Sequence, residues 1–332
     1  MKALCFAAHG EPADVLTLQD LPSPPLGPGQ VRVRMRLAPI NPSDVGYIRG
    51  RYGKSPSRFP AVPGFEGVGE VIESRGLIGR YLRGRRVSVL AEDQGTWAEE
   101  VVVDARRAIP VPSSIPDEQA AAYFINPATA FLLTRRVHVL APGAWLLQTG
   151  ANSQVGRMVV RLGRHFGFRT VNVVRRPDAA EELRGLGAEA CVVHDAAVNT
   201  EEELRGSLRE VTGGQPILAA IDCIGGELGS RVLRALGEGG RMVVYGAMSD
   251  APLEVPSRVL MTADRTLSGF WLGPWMARQS LPGKLGIIRE LGKLHRAGLF
   301  SSVIAGVSAL SQFREAFEAR PHDGKLLIRM SP

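Results

Sequence analysis

The sequence predicts an α/β protein in two parts: a β-rich, partly closed barrel-like domain and a parallel, doubly wound sheet. Three observations carry this. The first third is dense in Pro, Gly and short runs of alternating polarity. From Trp145 onward, strand and helix patterns alternate with short links, as in a parallel sheet with crossover helices. The 332 residues suffice for two medium domains.

In the first part, QVRVRMRLAPI (Gln30 to Ile40) alternates apolar and polar residues, as a half-exposed strand does. PAVPGFEGVGEVIES and GRRVSVLAEDQGTWAEEVVV continue the pattern of short strands and Gly turns. Near Pro116 the character changes. PDEQAAAYFINPATAFLLTRRV reads as an Ala-rich helical stretch opened by Pro116, with acids in its first turn. AWLLQT comes next as a buried strand and SQVGRMVVRLGRHFG as a helix with a Gly stop. The alternation then runs through RTVNVV, AAEELRGLGA, EACVVHD, TEEELRGSLREVTGG, ILAAIDCIGG, LGSRVLRALGEGG and RMVVYGAM. LIRMSP is a further short strand able to return to the first domain. The expected domains are therefore 1–118 completed by 298–332, and 119–297.

Composition is ordinary for a globular chain, 45% hydrophobic and 22% charged. No apolar run approaches the ~20 residues of a membrane span, so no membrane partner is expected. The opening MKALCFAAHGEPADVL reads as a strand rather than a signal peptide, and a cytoplasmic protein is the default. Cys5, Cys191 and Cys223 are widely spaced and odd in number, which argues against a disulfide framework and a Cys-rich zinc site. The net charge of +7 suits a basic rim for phosphorylated small ligands. Without a helix-turn-helix, finger or aromatic–basic RNA motif, no nucleic-acid partner is expected.

The segment GANSQVG (Gly150 to Gly156) lies between a buried strand and a helix, where a dinucleotide loop belongs, but it is not GxGxxG. Counting back from Gly156, the three glycine positions fall on Ala151, Ser153 and Gly156. Ala and Ser are small enough for backbone amides to approach a pyrophosphate at the helix N-terminus. Alone, the pattern is also that of an ordinary strand–turn–helix. About twenty residues on, Arg175 and Arg176 stand where an acid would hold the ribose of NAD. Guanidinium groups suit a 2′-phosphate, hence NADPH.

No metal is expected. INPSDVGYIRGRYG has Asn41 and no Cys, Phe65 precedes Glu66 where a His ligand would be wanted, and His9, His138, His165, His194, His295 and His322 are scattered. Hydride chemistry would rely on hydrogen bonds instead. Tyr52, in a Gly-flanked loop with Arg49, Arg51, Lys54 and Arg58, can donate to a developing enolate, while the cations lower the phenol pKa and hold anionic groups. A packed surface aromatic would also satisfy that loop. Tyr47 reads as packing.

These residues together resemble the zinc-free branch of the medium-chain dehydrogenase/reductase superfamily, and within it the NADPH-dependent trans-2-enoyl-CoA/ACP (2-enoyl thioester) reductases. INPSD (Ile40 to Asp44) with GRYG resembles the catalytic segment, its tyrosine falling on Tyr52. INPATA, NSQVG, VNVVRRPD and YGAM resemble cofactor segments; GFWLGPW (Gly269 to Trp275) is the most specific, and GKLLI resembles the closing strand. Gln154 departs from the family's usual glycine, and VVRRPD is a residue shorter than its usual run.

The resemblance implies a GroES-like β-rich catalytic domain and a Rossmann cofactor domain. It also implies NADPH contacts at Asn41, Asn126, Thr129, Asn152, Ser153, Gln154, Val155, Arg175, Arg176, Tyr245, Gly246, Ala247, Met248, Phe270, Trp271, Leu272 and Lys325. The implied reaction is hydride delivery to the β-carbon of an enoyl thioester, on CoA or acyl carrier protein, with Tyr52 hydrogen-bonding the thioester oxygen or protonating the α-carbon. A zinc-independent quinone or enone reductase is the alternative, and an NADPH-binding protein without catalysis a third. A homodimer is implied, with RMVVYGAM and the residues just after it as interface candidates.

Overall fold

The computed structural model describes residues 1–92, 94–319 and 324–330. The chain divides into two compact units, Met1–Ile125 with Ser302–Pro332, and Asn126–Ser301. His322 and the ends of the expected closing segment lie outside the described residues. The divisions fall after Ile125 and before Ser302, later than the sequence suggested. The reason is local: the turn of helix at Asp117–Ala120 packs on the first unit's sheet, and Gln119 exchanges two hydrogen bonds with Ser302.

The first unit begins with β1 (Lys2–Phe6), α1 (Pro12–Val15), β2 (Leu16–Asp20) and β3 (Gln30–Pro39). It continues with α2 (Pro42–Ile48), β4 (Glu66–Ser74), α3 (Leu77–Leu82), β5 (Arg86–Leu90), β6 (Glu100–Asp104), β7 (Ala108–Pro110) and α4 (Asp117–Ala120). β1 and β2 form a hairpin-like pair. The larger sheet runs in the order β14-β15-β3-β4-β5-β7 with β6 on β3, where β14 (Ile304–Ala309) and β15 (Lys325–Arg329) come from the end of the chain. β15 lies antiparallel to β3, Ile328 facing Ala38. The alternation of β3 puts Val31, Val33 and Met35 inward, where they meet Phe6, Trp97 and Val101 in one core. Gly69 is required where β4 crosses β3: a Cβ there would stand 2.3 Å from the Arg34 carbonyl oxygen.

The second unit carries α5 (Ile125–Leu132) apart from its first residue, β8 (Trp145–Gln148), α6 (Gln154–Phe166), β9 (Arg169–Val174), α7 (Pro177–Gly185) and β10 (Ala190–Val193). It continues with α8 (Glu201–Val211), β11 (Ala219–Asp222), α9 (Gly226–Ala235), β12 (Arg241–Val244), α10 (Ser257–Met261), β13 (Thr266–Gly269), α11 (Leu272–Ala277) and α12 (Leu281–Arg296). All six strands are parallel, in the order β10-β9-β8-β11-β12-β13. The chain winds outward from β8 in one direction, then restarts at β11 on the other side. The crevice above the carboxyl ends of β8 and β11 is thus a topological switch point.

Two expectations are corrected. The helical stretch after Pro116 is not one helix. It breaks at Ala121 to Phe124, because the Glu66 carboxylate takes the Ile125 amide at 3.0 Å and starts α5 anew; a π-helical turn then closes it at Leu133–Val137. RMVVYGAM is also not an edge: β12 pairs with β11 and β13 on both sides, so this end of the sheet is closed by β13, which no apolar run announced.

Candidate functional site

The first unit places its chemistry at the start of β4. α2 begins with a capping box: Asn41 is the N-cap, and the Asp44 carboxylate accepts from the Asn41 amide at 2.8 Å. The other Asp44 oxygen accepts from the Phe65 amide at 2.9 Å. Asn41 Nδ2 donates to Glu66 at 3.1 Å, and Lys325 Nζ donates to Asn41 Oδ1. All four side chains are buried. Burial pushes the Asp44 carboxyl up to about 7, with the amides of Asn41 and Phe65 opposing. Burial likewise raises Glu66 and lowers Lys325. An ammonium and two acids form a closed, desolvated cluster, and both ends of the Asn41 amide are used inside it.

Tyr52 hangs from this cluster. Its loop turns through Gly50 and Gly53, both with φ +73°. Its ring is half-buried and stacks on Phe65 with centroids 5.1 Å apart. Phe65 is the residue whose amide Asp44 holds. Tyr47, by contrast, is 2% exposed and packs edge-on to Phe6 and Phe65. The cations around Tyr52 are partly engaged elsewhere: Arg49 pairs with Glu11 at 2.6 Å, and Lys54 donates to the Glu92 carbonyl at 3.1 Å.

The second unit builds its site at the switch point. Gly150 follows β8 with φ +55°, and a Cβ there would stand 2.7 Å from Cys223 Sγ. Ala151 is buried, and a Cβ on Gly156 would stand 2.2 Å from the Ala151 carbonyl oxygen, so the loop folds flat against the first turn of α6. Ser153 is the N-cap and its hydroxyl accepts from the Gly156 amide at 3.2 Å. Asn152, Ser153 and Gln154 are partly exposed around that turn, Val155 less so. The Gln148 amide, buried in β8, donates to the Gly156 carbonyl at 3.1 Å and to Asn172 Oδ1 of β9 at 2.7 Å. The loop therefore stands on a polar ladder inside the sheet.

Arg175 and Arg176 follow β9. Arg175 is exposed; Arg176 caps α7 and pairs with Asp178 at 3.1 Å. At the end of β11, buried Asp222 accepts from Thr149 Oγ1 and from the amides of Ile224 and Gly225 at 3.1 and 3.0 Å. Tyr245 follows β12. Its hydroxyl, beside Cys223 and Ser153, is buried without a well-formed hydrogen bond. Burial pushes the Cys223 thiol up to about 11, so it is a packed thiol rather than a nucleophile.

Gly246, Ala247 and Met248 continue that loop, with the Met248 amide donating to the Cys223 carbonyl at 3.1 Å. Phe270 is buried after β13. Trp271 is 42% exposed at the N-cap of α11, and Leu272 begins that helix. Asn126 and Thr129 lie on α5. The fold thus gathers Thr149 to Val155, Asn172, Arg175, Arg176, Asp222 and Tyr245 to Met248 along the carboxyl ends of neighbouring strands. Tyr52, Asn41 and Lys325 belong to the other unit.

This crevice fits a pyridine dinucleotide. The flat glycine–alanine turn leaves room for phosphate oxygens where larger side chains would stand, the capped helix of thirteen residues directs its dipole there, and two arginines follow the neighbouring strand β9. Among the described residues no group of three or more His, Cys, Asp and Glu is arranged to hold a metal.

Sequence reasoning passed over Gln148, Asn172, Thr149 and Asp222. Polar residues inside apolar strand runs, as in LLQT and AAID, were the available signal.

Comparison with known proteins gives the family. Residues 27–113 match the alcohol dehydrogenase GroES-like domain, and 155–286 the zinc-binding dehydrogenase family. Human mitochondrial enoyl-[acyl-carrier-protein] reductase is 36% identical over 96% of this chain and 85% of its own length. A Bacillus thuringiensis protein provisionally described as an NADPH:quinone reductase superposes with a TM-score of 0.90 at 30% identity, covering 99% of this chain and 98% of its own. The Etr1p/NADP/crotonyl-CoA complex superposes at 0.85 with 26% identity over 99% of both chains; Etr1p occurs in the Candida tropicalis mitochondrial 2-enoyl thioester reductase heterodimer. With a β-rich GroES-like unit, a parallel Rossmann sheet and relatives of this similarity, the chain belongs to the medium-chain dehydrogenase/reductase superfamily, in the family of the enoyl thioester reductases.

Proposed function

We propose that this protein reduces the C2=C3 double bond of a 2-enoyl thioester with NADPH. The observation that carries the reading is Tyr52, a half-buried phenol in a glycine turn, braced by Phe65 over a buried acid–ammonium cluster. The similarity to human enoyl-[acyl-carrier-protein] reductase and to Etr1p, crystallised with NADP and crotonyl-CoA, supports it. When bound, NADPH would supply the hydride for the β-carbon. Asn152 to Val155 and the N-terminus of α6 would hold its pyrophosphate, Arg175 and Arg176 its 2′-phosphate, and Tyr245 to Met248, Phe270 to Leu272, Asn126 and Thr129 would line the rest. Tyr52 donates to the thioester oxygen as negative charge grows there, or delivers its proton to the α-carbon. Asn41 and Lys325 serve this site from within the buried cluster, by fixing α2 and β4 rather than through free donors.

The carrier of the acyl group is CoA or acyl carrier protein. A cytoplasmic address is part of the reading, although the curated relatives are named mitochondrial. A homodimer through β13 completes the reading. In it, α10 and α11 bury no residue of their own, which suits surfaces that wait for a second copy. Light scattering should then give about twice the 35.7 kDa chain mass.

A quinone or enone reductase is the second reading, favoured by the Bacillus thuringiensis neighbour. The deciding experiment tracks NADPH oxidation with crotonyl-CoA, crotonyl-acyl carrier protein and a 1,4-quinone. Turnover confined to the quinone overturns the enoyl assignment.

A further inference from the structure

We propose that α3 and the loops flanking it, Arg75 to Arg85, form a docking tip for an anionic lipid surface. The inference is independent of the enoyl reading and revises the expectation of no membrane partner. In this segment nine of eleven residues are exposed; only Gly79 and Leu82 are buried and tie the helix to the body. A Cβ on Gly79 would stand 2.9 Å from Ser74 Cβ, so the glycine permits close seating on that one side.

The outward side is not the polar surface a small connecting helix would ordinarily show. Leu77 is 82% exposed, Ile78 52% and Tyr81 62%. Their spacing of i, i+1 and i+4 puts them on one helical face. Arg75, Arg80, Arg83 and Arg85 surround them, and no acid occurs between Arg75 and Arg85. Arg75, Arg80 and Arg83 make no ion pair among the described residues, while Arg85 lies over the Tyr81 ring at 4.1 Å and donates to its carbonyl. The acids bordering the patch are engaged: Glu73 with Arg32 and Asp104 with Arg106.

A cationic ring around three exposed apolar side chains selects its occupant. Charge complementarity requires an anionic partner. The apolar tip is much smaller than the ~800 Å² per partner of a stable protein interface. Nor does a side chain as exposed as Leu77 lie in a groove that could receive a partner's anchor. A bilayer interface needs no matching pocket: Leu77, Ile78 and Tyr81 would enter the headgroup–acyl boundary and the arginines would meet lipid phosphates. Near an anionic surface each basic residue strengthens binding about fivefold, so a tip of this size gives reversible, salt-sensitive attachment. The described helices include none long and apolar enough to cross a membrane, so the contact is one of lying on the surface.

The test is co-sedimentation of the full chain with vesicles of phosphatidylcholine alone or with 30% phosphatidylserine. Wild type should bind the anionic vesicles and not the neutral ones, and release in 0.5 M salt. Arg80→Glu with Arg83→Glu, and separately Leu77→Ser with Ile78→Ser, should each weaken binding at least tenfold. Arg80→Lys with Arg83→Lys should retain it. Arg209→Glu with Arg314→Glu, of equal net charge change at exposed sites elsewhere, should lower it less than threefold. Thermal midpoint and NADPH affinity should match wild type in every variant. Failure of wild type to bind anionic vesicles overturns the proposal, and so does an equal loss in the Arg209/Arg314 control. Binding of an acidic protein that depends on α3, without vesicle binding, reassigns the tip to a protein partner.

Discussion

Arg157 of α6 is 1% exposed and grips Glu182 of α7 with both ends of its guanidinium, Nη2 to Oε2 at 2.7 Å, while its Nε donates to the Asn152 carbonyl at 2.7 Å. One buried side chain therefore ties the loop before α6 to the helix that carries Arg176 at its N-cap. Glu182 is 40% exposed, so the pair is only half desolvated and its strength lies in bidentate geometry more than in burial.

Glu182→Gln should accordingly leave Arg157 buried with a weaker partner, and lower unfolding free energy by about 1.5–3 kcal/mol. Urea denaturation measures this. Because Arg157 also holds Asn152, Arg157→Met should raise the NADPH dissociation constant as well as destabilise. An unchanged cofactor affinity would show that the clamp is structural only.

Arg175 should contribute most of the preference for NADPH. Its guanidinium is exposed just after β9, whereas Arg176 is already engaged with Asp178. Arg175→Ala should weaken NADPH by about tenfold or more, the worth of one charge-assisted bond, and leave NADH nearly unchanged. Fluorescence titration with both cofactors checks it. A larger loss in Arg176→Ala would exchange the two roles.

Tyr52→Phe keeps the ring that stacks on Phe65 and removes only the hydroxyl. With an enoyl thioester, kcat should fall by a factor of ~10²–10³ at unaltered NADPH affinity. Steady-state kinetics with crotonyl-CoA measures it, and an unchanged kcat would remove Tyr52 from the chemistry.

His138 gives a pH dependence of stability. Burial lowers its pKa from 6.5 to about 4, and its Nε2 lies 3.0 Å from the Ala220 carbonyl oxygen. A base whose folded pKa is depressed stabilises the fold fully above the unfolded value, and that contribution is lost as pH falls toward the folded one. Between pH 6.5 and about 4 the chain should lose up to about 3 kcal/mol through this group. His138→Gln should flatten that slope in urea titrations taken across the interval.

Much of the fold was legible in particular residues. The alternation of Gln30 to Pro39 marked β3, and the strand–helix succession from Trp145 marked a parallel sheet, because side-chain period reports directly on backbone geometry. Ala151, Ser153 and Gly156 marked the tight turn before α6 through their small size. β13 was not legible: TLSG is too short and too mixed to differ from a loop until β12 pairs with it.

What the sequence alone determined, then, is local: periodicity, caps, small residues at tight turns, and the succession that makes β8 to β12 parallel. Only the tertiary structure decided which buried polar groups find one another. Asn41 and Lys325 are 284 positions apart and Thr149 and Asp222 are 73 apart, yet each pair is hydrogen-bonded. Spacing along the chain carries no information about such contacts. They are selected because a desolvated carboxylate, amide or ammonium must find a partner once apolar packing removes its water. That same requirement sets the brace beneath Tyr52 and the footing of the turn before α6.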